Sequence, residues 1–111
     1  MHPCFVSELY GKGLAGFTGD TVVMQCRING SASMHWTVTS GTTIANTARG
    51  VLPGYPRLSL NDSTEEQFDL LVNSAQLDDA GTYTCYAGWK EVVNAELTLL
   101  SKLFNCDMLL Y

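Results

Sequence analysis

The chain has 111 residues, 46% of them hydrophobic and 15% charged, with a formal net charge of −5. That length supplies one domain and one core rather than two, and the apolar share excludes a disordered chain. The acidic balance argues against nucleic acid, whose phosphates need a basic footprint, and against an anionic membrane surface. An acidic surface gives solubility and can steer a basic partner.

From the N-terminus, residues Ser7 to Gly16 carry scattered apolar side chains among glycines and read as an irregular edge strand. Gly19-Asp20 is a turn. Thr21 to Arg27 alternates, with Val22, Met24 and Cys26 on one face, which is the period of a half-buried strand. Ile28 to Ser33 is a polar loop. Met34 to Thr39 alternates again, with Met34, Trp36 and Val38 inward and His35, Thr37 and Thr39 outward. Ser40-Gly41 turns the chain into a short strand at Thr42 to Ala45, and Asn46 to Pro53 holds at most a poorly paired strand. Pro56 to Asn61 is a strand with Leu58 and Leu60 inward. Gln67 to Asn73 is another, with Phe68, Leu70 and Val72 on the core face. Gln76 to Gly81 is a turn that can tighten into one helical loop. Thr82 to Gly88 points Tyr83, Cys85 and Ala87 inward and Thr84 and Tyr86 outward. A loop is expected at Trp89 to Asn94, then a last strand at Ala95 to Leu100 with Leu97 and Leu99 inward. There is no internal repeat.

Four cysteines in so short a chain point to an oxidising compartment. None forms a Cys-x-x-Cys pair, and His2 and His35 lie far apart, so no metal site is expected. No Gly-x-Ser-x-Gly, His-Glu-x-x-His or phosphate loop is present. His35 on a flat strand offers no oriented nucleophile and base. The expectation is no cofactor and no enzyme. Met1-His2-Pro3-Cys4 lacks the basic start and apolar run of a secretory leader. No stretch approaches the roughly 20 apolar residues that span a bilayer. The expectation is a mature or trimmed extracellular form, with membrane attachment only through an anchor missing from the sequence.

Gly19-Asp20-Thr21-Val22-Val23-Met24-Gln25-Cys26, Trp36, Arg57-Leu58-Ser59-Leu60 and Leu77-x-Asp79-x-Gly81-x-Tyr83-x-Cys85 together resemble a V-set immunoglobulin domain. The resemblance covers roughly residues 5 to 100. It implies an all-β, immunoglobulin-like Greek-key sandwich, and the long interval between Cys26 and Cys85 leaves room for the C′ and C″ strands of the variable type. It implies a Cys26–Cys85 disulfide packed by Trp36, a core that includes Tyr83 and Leu77, and a salt bridge from Arg57 to Asp79. The Phe-Gly-x-Gly bulge of antigen-receptor chains is missing after Cys85, and Trp36 is followed by Thr-Val-Thr. Both departures point to a cell-surface or secreted immune-type receptor or adhesion protein instead. The domain is expected over residues 1–103, with 104–111 as a C-terminal tail or membrane-proximal remnant.

V-set domains commonly pair through the sheet face of strands G, F, C and C′. Here that face is expected to hold His35, Thr37, Thr84, Tyr86 and Glu96, with Trp89 at a loop tip. An aromatic residue ringed by small polar ones suits an interface, although Tyr86 and the threonines are also simply good strand formers. Trp89 reads equally as a binding anchor or as a ring folded back over the sheet edge. The function implied is non-catalytic extracellular recognition of a protein partner, as a homodimer or with another immunoglobulin-type domain. A lectin-like or pathogen-binding module using the BC and FG loops is the alternative, and a structural spacer is a third reading. Asn29-Gly30-Ser31 and Asn61-Asp62-Ser63 match the N-glycosylation sequon. Cys4 and Cys106 flank opposite ends of the sandwich. Six extended residues reach back only about 20 Å, too short to bring the two within the roughly 7 Å a disulfide needs. An interchain disulfide, free thiols and a folded-back tail stay open for them.

Overall fold

The computed structural model describes residues 13–101. Within them nine strands run in chain order: β1 Leu14–Phe17, β2 Val22–Met24, β3 Met34–Val38, β4 Thr42–Asn46, β5 Gly50–Val51, β6 Leu58–Asn61, β7 Asp69–Val72, β8 Gly81–Ala87 and β9 Lys90–Leu100. One 3-10 turn, Leu77–Asp79, precedes β8. The strands form a six-stranded sheet in the order β1-β9-β8-β3-β4-β5 and a three-stranded sheet in the order β2-β7-β6. All neighbours pair antiparallel except β1, which runs parallel to β9 with Leu14 opposite Leu97. The buried apolar residues of β2, β3, β7 and β8 follow a period-two alternation, because one face of each sheet has to be taken out of water.

Between the sheets lie Val22, Met24, Cys26, Met34, Trp36, Ile44, Phe68, Leu70, Val72, Tyr83, Cys85, Leu97 and Leu99, all buried. Cys26 and Cys85 are joined across the sandwich with their Cα atoms 6.5 Å apart. Trp36 is wholly buried, and its indole N–H donates to the Phe68 carbonyl at 2.8 Å. A buried indole would otherwise carry an unmet donor.

Two arginine–aspartate pairs stand near opposite ends of the sandwich. At one, both terminal nitrogens of Arg57 reach the Asp79 carboxylate, Nη2 at 2.8 Å from Oδ1. Asp79 also accepts the Gln76 backbone N–H at 2.7 Å, and its carbonyl accepts the Tyr83 hydroxyl at 2.6 Å. Burial pushes the Tyr83 phenol up to about 12. Gly81 belongs to this corner: a Cβ there would sit 2.7 Å from Thr39 Oγ1. At the other end Asp69, almost fully buried, accepts from the Cys26 backbone N–H at 2.9 Å, Arg27 Nη2 at 3.0 Å and Gln67 Nε2 at 3.0 Å.

Three expectations are corrected. Leu77, expected in the core, is 56% exposed, because the 3-10 turn aims it outward while Asp79 turns in to Arg57. Thr39 leaves the strand and takes a positive φ of 41° in the turn with Ser40-Gly41. The expected loop at Trp89 to Asn94 does not exist: β9 begins at Lys90, paired with Ala87, so Gly88 and Trp89 alone make the turn. Gly88 has φ of 61°, and Trp89 is not among the residues of positive φ, the pattern of a two-residue hairpin with glycine first. The second strand added by the variable type is only Gly50–Val51. Residues 1–12 and 102–111, with Cys4, Cys106 and the expected tail, lie outside the described residues.

Candidate interaction face

β3 and β8 are the central strands of the larger sheet, so their outward residues set the middle of its open face. His35 pairs with Tyr86 and Thr37 with Thr84. The same rows continue outward on both sides: Asn46 beside His35 and Thr43 beside Thr37 on β4, and Glu91 beside Tyr86 and Asn94 beside Thr84 on β9. A third row holds Thr82 and Glu96.

The His35 and Tyr86 rings stack, with centroids 4.9 Å apart and planes 13° from parallel. Cross-strand ring pairs of this kind add roughly 0.2–1 kcal/mol to a sheet. They also present a flat, rigid apolar area at little further entropic cost on binding. Thr37 and Thr84 point the same way but keep only 8% and 7% of their surface. Asn94 Nδ2 donates to Thr84 Oγ1 at 3.1 Å and helps to cover it. The two threonines therefore support the face from beneath instead of projecting from it, a correction to their expected exposure.

Two irregularities shape the rim. The β8–β9 register slips by one residue between Cys85–Val93 and Tyr86–Glu91, which leaves Val92 as an extra residue on β9. The β3–β4 register slips in the same way, so Ile44 and Ala45 are both buried. Bulges of this kind increase the local twist of a ribbon, and the Gly88-Trp89 hairpin sits just beyond the first. Trp89 at its tip is fully exposed, at 101%. The ring does not fold back over the sheet edge. Between Trp89 and β4 opens a hollow of about 520 Å³, lined by His35, Asn46, Thr43, Thr47 and Ser33. No carboxylate, lysine or arginine lines it.

His35, Tyr86, Trp89 and Glu96 thus reach one surface, and Arg57 meets Asp79 far from it. Asn46, Thr43, Glu91 and Asn94 share the face and were not foreseen. For Glu91 the signal was Gly88-Trp89 read as a two-residue turn, which sets the β8–β9 register up to the bulge at Val92; the bulge then brings Asn94 opposite Thr84. Among the described residues no group of three or more His, Cys, Asp or Glu is placed to hold a metal. No helix among them is long and apolar enough to cross a membrane.

The model of the immunoglobulin domain family matches residues 12–88. The chain belongs to the immunoglobulin domain family. Within it, the strand pair β4 and β5 beyond β3 places this domain with the variable type. Its fold is similar to the first immunoglobulin domain of mouse SynCAM 2, at 23% identity and a TM-score of 0.67 over 80% of this chain and 91% of that one. It is similar to the IG1 domain of ZIG-8, solved as a homodimer, at 18% identity and a TM-score of 0.68 over 81% of this chain and 79% of that one. The first immunoglobulin domain of the mouse polymeric immunoglobulin receptor is 20% identical, with a TM-score of 0.68 over 81% of this chain and 90% of that one. No curated protein sequence matches the chain.

Proposed function

We propose that this immunoglobulin domain is a non-catalytic extracellular recognition module of an immune-type receptor or adhesion protein. It docks to a protein partner, a second copy or another immunoglobulin-type domain, through the outer face of β9, β8, β3 and β4. The observation that carries this reading is the centre of that face: a stacked His35–Tyr86 pair over nearly buried threonines, with no ion pair there and Trp89 exposed at its rim. Interface centres are depleted of charge and anchored by aromatic rings inside a polar rim, and Glu91 and Glu96 supply that rim here. The ZIG-8 IG1 domain of the same fold, solved as a homodimer, is consistent with a second copy as partner. A two-fold axis would present Tyr86 of each copy to the same interface.

Sedimentation equilibrium of the secreted domain tests this. Tyr86→Arg places two buried positive charges in a symmetric interface and abolishes association, while the folded domain loses less than about 1 kcal/mol, the scale of a cross-strand pair. Unchanged association in the Tyr86→Arg variant would overturn the docking face. Repeating the sizing under reducing and non-reducing conditions shows whether Cys4 and Cys106 link copies covalently. The lectin-like alternative is favoured by one observation, a fully exposed Trp89 beside an uncharged hollow. It requires Trp89→Ser to abolish glycan-array binding by a domain that stays monomeric.

A further inference from the structure

Asn29 and Asn61 differ from the other described asparagines in a way the sequence does not show. Asn46 Oδ1 accepts the Arg49 backbone N–H at 2.8 Å. Asn73 Nδ2 donates to the Arg57 carbonyl and to Ser59 Oγ, each at 3.0 Å. Asn94 Nδ2 is held on Thr84. Those three side chains are bound into the fold, and none heads an Asn-x-Ser/Thr triplet. Asn29 and Asn61, which do, are exposed, and their side chains have no hydrogen-bond partner among the described residues.

The fold brings the two together at one end. Asn29 lies in the loop between β2 and β3, and Asn61 is the last residue of β6. The loop that holds Asn29 is tied to the loop that follows Asn61: the Ile28 backbone N–H donates to the Glu66 carbonyl at 2.9 Å and the Gly30 N–H to Glu66 Oε1 at 3.3 Å. Two hollows open at this end. One, of about 430 Å³, is lined by Ser31, Asp62 and Ser63, members of both triplets, and by Glu65. The other, of about 440 Å³, is lined by Asn29 and Ser31 and, from β9, by Lys90, Glu91 and Val92. The hollow beside Trp89 is lined by no residue of either triplet.

We propose that Asn29 and Asn61 both carry N-linked oligosaccharides, and that these glycans cover the two loop-end hollows, reach the rim of the sheet face at Glu91, and leave its centre at His35 and Tyr86 bare. The Cys26–Cys85 disulfide places folding in an oxidising secretory compartment, where exposed Asn-x-Ser triplets meet the transferring enzyme. The donor is a lipid-linked oligosaccharide diphosphate. The bond from Nδ2 to the sugar C1 forms as the C1–O bond to phosphate breaks. The leaving diphosphate takes the electron pair, and Nδ2 gives up one proton. This assignment does not depend on the sheet face docking to anything, and its readout is separate.

The test uses the full chain secreted from a eukaryotic host. Intact mass before and after peptide N-glycosidase shows two glycans. Asn29→Gln and Asn61→Gln each remove one, and so do Ser31→Ala and Ser63→Ala, which spare the asparagines. Asn94→Gln removes none. A secreted, disulfide-bonded chain with fewer than two glycans overturns the assignment. For the shielding, carbodiimide labelling of carboxylates is compared before and after enzymatic removal of the sugar. Labelling of Glu65, in the loop-end hollow, rises severalfold, and that of Glu96, on the sheet face, does not change. Equal labelling of Glu65 in both forms overturns the shielding.

Discussion

On the outer side of the three-stranded sheet, Asp69 holds Arg27, Gln67 and the Cys26 N–H, and Asn73 ties the Arg57 carbonyl to Ser59. On the outer side of the six-stranded sheet, the middle is His35 stacked on Tyr86 above Thr37 and Thr84. Both surfaces come from the same alternation of inward and outward residues. One spends its polar groups on its own fold, and the other leaves two rings and an exposed indole with little to do inside the molecule. A surface whose charges are already satisfied gains little from a partner, whereas flat aromatic area gains free energy each time water leaves it. On the proposed reading, stability and recognition are divided between the two sheets.

The core between them gives the largest expected effect. Trp36→Ala removes a wholly buried indole and costs about 3–5 kcal/mol, enough to leave much of the chain unfolded by urea titration at neutral pH. On the three-stranded side, Asp69→Ala strands the buried Cys26 N–H and is expected to cost about 2–3 kcal/mol in the same titration. A loss below that of an ordinary surface substitution would mean that the network is dispensable and the division between the sheets weaker than described.

Acid probes the same side. Burial alone would raise the Asp69 and Asp79 carboxyls, but hydrogen bonds from Arg27, the Cys26 N–H and Gln67 to the first, and from Arg57 and the Gln76 N–H to the second, hold both below the ordinary range. Their native values lie below the unfolded ones. The stability they add is therefore present above about pH 4 and is lost as pH falls through the lowered native values. Urea midpoints measured down the acid limb should flatten in the Asp69→Asn, Asp79→Asn double variant. Tyr83 has the opposite sign: its value is raised, so its contribution is present below about pH 10 and is lost as pH rises through the native value. The smallest effect on stability belongs to the six-stranded side. Trp89→Ser should move the urea midpoint by no more than about 0.5 kcal/mol, yet weaken partner binding measured by sedimentation.

Much of the sandwich was legible because its strands obey period two and its turns carry glycine. Trp36, Leu70, Val72 and Leu97 could be assigned to the core from alternation alone. The face was only half legible. Its β3 and β8 residues follow from parity, but its β9 residues depend on where the hairpin turns, and reading Trp89 to Asn94 as a loop hid Glu91 and Asn94. Asp69 was hidden for a different reason. It sits at an outward position of β7, where a carboxylate reads as solvated, and only the approach of Arg27 and Gln67 buries it.

Local sequence determined which side of each strand meets the core, since that follows from apolar and polar residues alternating along a pleated chain. It also determined the family, through residues whose spacing along the chain is itself the signal. The tertiary structure decided which outward residues become surface and which are covered, because that depends on neighbours distant in the chain: Asn94 over Thr84, Arg27 over Asp69, and nothing over Trp89.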